Sequence, residues 1–248
     1  MKSQARRKRL DLLLVERGLA DTTQKALALV LAGEVRVNGM PANKAGVTVA
    51  TDARIDVTSR AQKFASRGGF KLAGALKDFS INPTAGVCLD IGSSTGGFTD
   101  CLLQFGASRV YAVDVNVSQL AWKLQQDPRV LRIERNAREL RREDVSEPVT
   151  LVTVDVSFIS VTKVLATACS VASPGADFLI LVKPQFELRK QDVSPGGIVL
   201  DTALHEKAIE KARQAAEAAG LECIGVHPSC LLGAEGNQEY FLHARKRP

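Results

Sequence analysis

The sequence predicts an α/β protein whose main body is a seven-stranded, mostly parallel sheet with helices on both faces, preceded by a small α+β domain. Three observations predict it. From Gly86 onward, short aliphatic runs alternate with helical patterns, the signature of a parallel sheet covered on both sides. The stretch before it reads as helix, helix and small β-meander within about 60 residues. Charge divides the chain near the same place: Met1 to Leu72 holds 14 Lys and Arg against 6 Asp and Glu, whereas the remainder holds 19 against 21. Such asymmetry fits a polyanion-binding module joined to a domain with another task.

In the small domain, Leu10, Leu13 and Leu14 recur at helical spacing until Gly18 ends the pattern. Asp21 or Thr22 can cap a second helix, whose apolar face is Ala26, Leu27, Val30 and Leu31 and which Gly33 ends. In "EVRVNGMPANKAGVTV", Val35 and Val37 alternate with polar residues, and Asn38-Gly39 favours a tight turn. The mixed stretch "SRAQKFASRGG" reads as a linker, followed by a helix from Lys71 to Phe79. The expected limits are 1–60 for the small domain, 61–70 for the linker and 71–248 for the large domain.

The candidate strands of the large domain are "VCLDIG", "RVYAVDV", "VLRIER", "VTLVTVDVS", "DFLILVKPQF", "ECIGVHPS" and "EYFLHAR". Helices are expected over Phe98 to Phe105, Ser118 to Gln126, Val161 to Ala172 and Ala203 to Gly220. No helix separates the last two strands, so they form an antiparallel pair joined through "CLLGAEGNQ".

Composition excludes several classes. No apolar run approaches the roughly 18 residues that cross a bilayer. The basic start "MKSQARRKR" is followed by Asp11, Glu16 and Arg17 rather than by a signal-peptide core, so a cytoplasmic protein is expected. Five cysteines form no CxxC pair and three histidines form no ligand cluster with them, which points to buried thiols and no metal site.

The glycine-rich turn in "CLDIGSSTGGFTDCLL" directly follows the first strand of the sheet, where Gly92, Gly96 and Gly97 let backbone approach a ligand. Its spacing matches neither a dinucleotide fingerprint nor a phosphate loop. Asp90 precedes the turn and Asp114 closes the second strand, a position suited to hydrogen bonding a ribose. A nucleoside cofactor without a pyrophosphate is therefore expected, and S-adenosylmethionine is the natural candidate. Ligands of such sheets bind beyond the carboxyl ends of the strands, which here carry Asp90, Gly92, Asp114, Asn136, Asp155 and Lys183. Lys183 stands out, because it ends the apolar run Phe178 to Val182, where a charge is costly unless paired or used.

"RLDLLLVERGLADTTQKALALVLAGEVRVNGMPANK" resembles the S-four-like RNA-binding domain. Members usually open the second helix with Ser-Arg, where this chain has Thr23-Gln24. The resemblance implies phosphate contacts from Arg6, Arg7, Lys8, Arg9, Lys25, Arg36 and Lys44, with Arg67 in the linker, which position RNA without reading its sequence.

"SRGGFKLAGAL", "LDIGSSTGGFTDCLL", "QLAWKLQQDPRV", "VDVSFIS", "LVKPQFE", "SPGGIV" and "GNQEYFLHAR" together resemble the TlyA-type haemolysin/rRNA methyltransferase family nearly end to end. In it an S-four-like domain precedes an FtsJ-like, Rossmann-like S-adenosylmethionine-dependent methyltransferase sheet. The resemblance implies methyl transfer to a cytidine ribose 2′-hydroxyl of ribosomal RNA, on free RNA or a ribosomal subunit, with no protein partner or membrane implied. It places a Lys-Asp-Lys-Glu tetrad on Lys71, Asp155, Lys183 and Glu239. The implied cofactor set is Asp90, Gly92, Ser93, Ser94, Thr95, Gly96, Gly97, Phe98, Asp114, Asn136 and Asp155. The family's Trp-Val linker pair is Phe64-Ala65 here, so the coupling of RNA docking to cofactor binding is expected to differ. The ending at Pro248 is by analogy expected to narrow the substrate toward large-subunit rRNA.

A ribose hydroxyl ionises far above neutrality, so its attack on a sulfonium methyl needs a base or a strong positioning partner. Lys183 is the candidate, either accepting the proton or steering the hydroxyl while protonated. Two other classes stand beside this reading: a non-catalytic RNA-binding or ribosome-assembly protein, and a haemolysin-type membrane-active protein.

Overall fold

The computed structural model describes residues 7–20, 22–42, 44–57, 63–233 and 235–248. The chain forms two compact units, Met1–Lys63 and Phe64–Pro248. Among the described residues no helix is long and apolar enough to cross a membrane.

In the first unit, β1 (Arg7–Arg9) leads into α1 (Leu10–Glu16) and α2 (Thr23–Leu31), followed by β2 (Val35–Val37), β3 (Met40–Pro41), β4 (Thr48–Ala50) and β5 (Ile55–Val57). Thr22 caps α2 by accepting from the Lys25 amide, one of the two options the sequence left open. Asp21 lies outside the described residues. The expected meander is two small sheets, because β1 pairs antiparallel with β4 while β2 lies between β3 and β5. Arg17, just past α1, ties the helix to the β4–β5 turn by donating to the carbonyls of Ala53 (2.7 Å) and Thr51 (2.5 Å).

The second unit runs α3 (Arg67–Asp78), β6 (Val87–Ile91), α4 (Gly97–Gln104), β7 (Arg109–Asp114), α5 (Trp122–Gln125), β8 (Val130–Glu134), β9 (Val149–Val154), α6 (Leu165–Val171), β10 (Ala172–Val182), α7 (Pro184–Glu187), α8 (Thr202–Ala218), β11 (Leu221–Pro228) and β12 (Tyr240–Lys246). The seven strands are ordered β11-β12-β10-β9-β6-β7-β8, and β12 alone runs against its neighbours.

Side-chain alternation sorts the core onto two faces. Phe178, Ile180 and Val182 pack with Leu89, Ile91 and Val154 on the face covered by α6 and α8. Leu179, Leu181, Cys88, Leu151 and Phe241 pack with Leu72, Leu76 and Leu102 of α3 and α4 on the other. Continuing the period of two past the strand ends carries Asp155, Lys183 and Glu239 onto the α3/α4 face. Because β12 is antiparallel, its first residues lie at the carboxyl ends of its neighbours: Tyr240 pairs with Val182, so Glu239 sits beside Lys183.

Three elements differ from expectation. α3 begins at Arg67, since Ser66 caps it through the Gly68 amide and Phe64 is fully buried against the second unit, so residues 64–70 are ordered parts of that unit. The expected helix from Ser118 to Gln126 is broken: Leu120 and Ala121 are extended, and the Ala121 amide donates to the Thr95 carbonyl at 3.1 Å. β10 stops at Val182, because Pro184 has no amide to donate and instead opens α7.

Leu179, fully buried at the centre of the sheet, gives a direct check of this packing. Leu179→Ala is expected to lower stability by about 2–5 kcal/mol, read as a drop in the urea midpoint.

Candidate active site

The turn from Gly92 to Gly97 joins β6 to α4 and forms the floor of the site. Gly92 has φ +85°, and a Cβ there would lie 2.3 Å from the Asp155 carbonyl oxygen, so the backbones of the turn and of the segment after β9 touch directly. Gly96 has φ +91°, and a Cβ there would meet a Leu124 methyl at 2.2 Å. That contact, with Leu120 beside it, explains why the predicted helix breaks: its residues pack under the turn.

Two adjoining cavities open above this floor. One, of about 360 Å³, is lined by Val113, Asp114, Val115, Asn136, Phe158 and Ile159 among others. The second, of about 180 Å³, is polar and is lined by Ser66, Gly68, Lys71, Ser93, Thr95, Gly97, Phe98 and Lys183. Gly92, Ser94, Asp155 and Ser157 line both and mark the junction.

Two lysine–carboxylate pairs stand beside the smaller cavity, which Lys71, Lys183 and Asp155 line. Lys71, on α3, donates to Glu239 Oε2 at 2.5 Å, and both are almost fully buried. Lys183 Nζ lies 2.6 Å from Asp155 Oδ1 and donates to Ser157 Oγ at 2.7 Å. Among the described residues Asp155 Oδ1 makes no aligned hydrogen bond, so its close contact with Lys183 is an ion pair rather than a directed bond. The four residues expected as a tetrad thus meet as two pairs, brought from one helix and three strand ends. A buried ammonium is tolerated only with such a counter-charge.

Other expected positions divide. Asp114 lines the larger cavity, while its Oδ2 accepts from the Ser94 amide (2.9 Å) and its Oδ1 from the Asn116 amide (3.1 Å). Asn136 lines the same cavity and caps the next turn through the Arg138 amide. Gly96 lines neither cavity and serves by its backbone conformation. Asp90 corrects the expectation: it is fully buried behind the turn, where Thr99 donates to Oδ2 (2.6 Å) and Thr153 to Oδ1 (3.0 Å). It braces β6 against α4 and β9 and lines neither cavity.

Of the basic set, Arg6 lies outside the described residues. Arg7, Arg9, Lys25, Arg36, Lys44 and Arg67 are exposed and Lys8 half-buried. Lys8 pairs with exposed Glu16 at 2.7 Å, a surface contact of small energy that a phosphate can displace, whereas Arg9 donates through two nitrogens to the buried Asp11 carboxylate, at 2.6 and 3.1 Å. Arg67 donates to the Leu232 carbonyl at 3.0 Å.

Sequence reasoning missed Ser66, Gly68, Ser157 and Phe158. The "SRGG" start of α3 carried a signal for the first two, since capping serines and glycines bring a helix N-terminus close to a ligand. Ser157 and Phe158 follow β9 in a segment without periodicity.

The residues present fit S-adenosylmethionine. The larger cavity offers a carboxylate, Asp114, amid apolar walls for a nucleoside. The smaller one offers hydroxyls, including Ser93 Oγ, which is buried without a partner and suits a polar amino-acid end. A cavity with few convergent polar groups is the usual form of a cofactor site.

Comparison with known proteins agrees with this geometry. The FtsJ-like methyltransferase profile matches residues 64–246, and the S4 domain profile matches residues 8–55. The 16S/23S rRNA (cytidine-2′-O)-methyltransferase TlyA of Mycobacterium tuberculosis is 47% identical over 243 residues, 97% of this chain and 91% of the relative. The chain belongs to the TlyA-type family of FtsJ-like methyltransferases. Hemolysin A of Brachyspira hyodysenteriae, 40% identical, aligns over 95% of this chain and 98% of its own. A solved Streptococcus thermophilus structure, provisionally described as a haemolysin, superposes with TM-score 0.76 at 36% identity over 98% of this chain and 90% of that one. An S-adenosylmethionine-dependent methyltransferase from Mesorhizobium loti shares the fold alone, at 16% identity and TM-score 0.53 over 71% of this chain and 98% of that one.

Burial pushes Asp90 up to about 7, with the charge of Asp155 adding to the shift and the Thr99 and Thr153 hydroxyls opposing it. The unfolded chain releases this proton near 3.8, so between that pH and about 7 the folded state binds more protons and stability falls as pH rises. Asp90→Asn is expected to flatten that fall, measured by urea unfolding across the window; an unchanged slope contradicts the assignment.

Proposed function

We propose that this chain methylates the 2′-hydroxyl of a cytidine ribose in ribosomal RNA, drawing the methyl group from S-adenosylmethionine. The observation that carries this reading is that Lys71, paired with Glu239, and Lys183, paired with Asp155, both line the smaller cavity, with Asp155 at its junction with the larger one. When bound, the cofactor supplies an electrophilic methyl on a sulfonium centre. The remaining work falls to the protein.

In this reading Asp114 and Asn136 orient the nucleoside end of the cofactor. Ser66, Ser93, Thr95 and the amides of the glycine turn receive its amino-acid end. Gly92, Gly97 and Phe98 shape the wall between the two ends, and Ser94 joins the turn to Asp114. Lys183, reacting as the neutral amine, takes the proton of the ribose hydroxyl as the oxygen–methyl bond forms and becomes the ammonium, and Lys71 with Glu239 holds the ribose from the other side. Asp155 keeps the ammonium form of Lys183 compensated after the transfer. Orientation of acceptor and methyl is the main source of rate in such a displacement, and a positioned base adds to it.

The basic side chains of the small unit supply the docking term. Arg7, Lys8, Arg9, Lys25, Arg36 and Lys44, with Arg67, would neutralise phosphates and so hold RNA without reading it. The substrate is rRNA within a ribosomal subunit or free, which places the reaction in the cytoplasm. A membrane-lytic reading, suggested by the haemolysin names of two relatives, leaves the two lysine–carboxylate pairs without a use.

Incubation of purified protein with methyl-labelled S-adenosylmethionine and unmodified small or large ribosomal subunits tests the reading. Label is expected on rRNA, and Lys183→Ala is expected to cut the rate by roughly 100-fold or more while cofactor still binds. Transfer to neither subunit nor free rRNA, with cofactor bound, would point to the non-catalytic class. Arg36→Ala with Lys44→Ala is expected to weaken RNA binding and to lower the slope of log K against log salt by about one per contact removed.

A further inference from the structure

Lys183 is held asymmetrically. Of its neighbours, Asp155 lies 2.6 Å away but out of hydrogen-bond alignment, whereas Ser157 Oγ accepts a bond at 2.7 Å. That is the one aligned hydrogen bond of Nζ among the described residues. The Phe186 ring lies 5.9 Å from the ammonium and offers it only its face. Charge is therefore supplied by one neighbour and direction by another. Ser157 also lines both cavities at their junction, so its hydroxyl is at the place where acceptor and methyl must meet.

The backbone around Ser157 is fixed more firmly than an exposed loop requires. Phe158, the next residue, is held at φ +67°, a conformation non-glycine residues seldom adopt. Its ring packs on Phe186 at 5.4 Å. Two residues on, Ser160 donates to the buried Glu187 carboxylate, and the Val161 amide donates to its other oxygen at 2.7 Å. The segment carrying Ser157 and the segment carrying Lys183 are thus cross-tied at four places: Asp155–Lys183, Ser157–Lys183, Phe158–Phe186 and Ser160/Val161–Glu187. Strain of this kind persists only where surrounding contacts over-determine it, and it gathers at functional sites.

We propose, on the basis of the role assigned above to Lys183, that Ser157 is a positioning residue that aims the Lys183 nitrogen at the acceptor hydroxyl. A tetrahedral nitrogen anchored through Cε and through one hydrogen bond has its remaining positions fixed in direction. In the reacting neutral amine, with the serine oxygen taking one N–H, the lone pair is left for the cavity that Lys183 lines. Without it, Asp155 Oδ1, already 2.6 Å away, draws Nζ into an aligned ion pair and turns it away.

The test is steady-state and single-turnover methylation by the full-length protein with unmodified ribosomal subunits and S-adenosylmethionine. Ser157→Ala is expected to lower kcat by roughly 10- to 100-fold, the scale of a misdirected reacting group, with both KM values within about threefold of wild type. Ser157→Thr, which keeps the hydroxyl, is expected to restore most of that loss. The side chain is exposed, so the melting temperature of Ser157→Ala should match wild type. A wild-type kcat in Ser157→Ala, a change confined to KM, or a failure of Ser157→Thr to rescue would overturn the proposal. Lys183→Ala run beside them separates the two levels: if it keeps full activity, the catalytic role of Lys183 falls, whereas if it is inactive and Ser157→Ala is normal, only the role of Ser157 falls.

Discussion

Two ammonium groups held beside carboxylates at one edge of the sheet set the terms for the rest of the second unit. Lys71 and Lys183 are almost fully buried, and a charge in that position is stable only with a counter-charge in contact. Glu239 and Asp155 supply it, at 2.5 and 2.6 Å. The Lys71–Glu239 pair joins the first helix of the unit to its last strand, so the site closes only when the whole sheet has assembled. The reversed direction of β12 is the device that makes this possible, because it brings the start of the final strand to the edge where the parallel strands end.

Around those pairs the structure keeps close contacts that leave no room for variation. Gly92 touches the Asp155 carbonyl, and Leu120 and Leu124 fill the space beneath Gly96. Asp90, hydrogen-bonded to α4 and β9 from within, ties the turn to two neighbours and raises the cost of moving any of them. The floor of the site is therefore rigid where a methyl donor and its acceptor must be held in line. Rigidity of supporting groups is what converts a correct set of residues into a reactive geometry.

Much of this was legible in the sequence, for identifiable reasons. Strands such as Phe178 to Val182 announced themselves because burial on both faces demands an unbroken apolar run. Their place at the carboxyl ends of strands nominated Asp155 and Lys183 before any contact was known, whereas Lys71 and Glu239 were nominated only by the family resemblance. What failed did so where tertiary contact overrode local pattern. Leu120 and Ala121 have helical spacing, yet their backbone is extended because Ala121 bonds to Thr95. Asp90 reads as a ligand residue by position, but it lies within β6 rather than past its end, where Thr99 of α4 and Thr153 of β9 bond to it. Ser157 and Phe158 stand inside the motif "VDVSFIS", yet nothing in it marked their roles, since a positive φ at a phenylalanine depends on packing against Phe186 that no local rule encodes.

The central claim is that the acceptor is a sugar hydroxyl, and the chemical identity of the methylated nucleoside tests it most directly. Ribosomal RNA methylated by this protein, digested to nucleosides and resolved by mass spectrometry, should carry the new methyl on the ribose of cytidine, with the base left at its unmodified mass. A methyl group found on a base would contradict the account, because the paired lysines and carboxylates would then be serving a different acceptor.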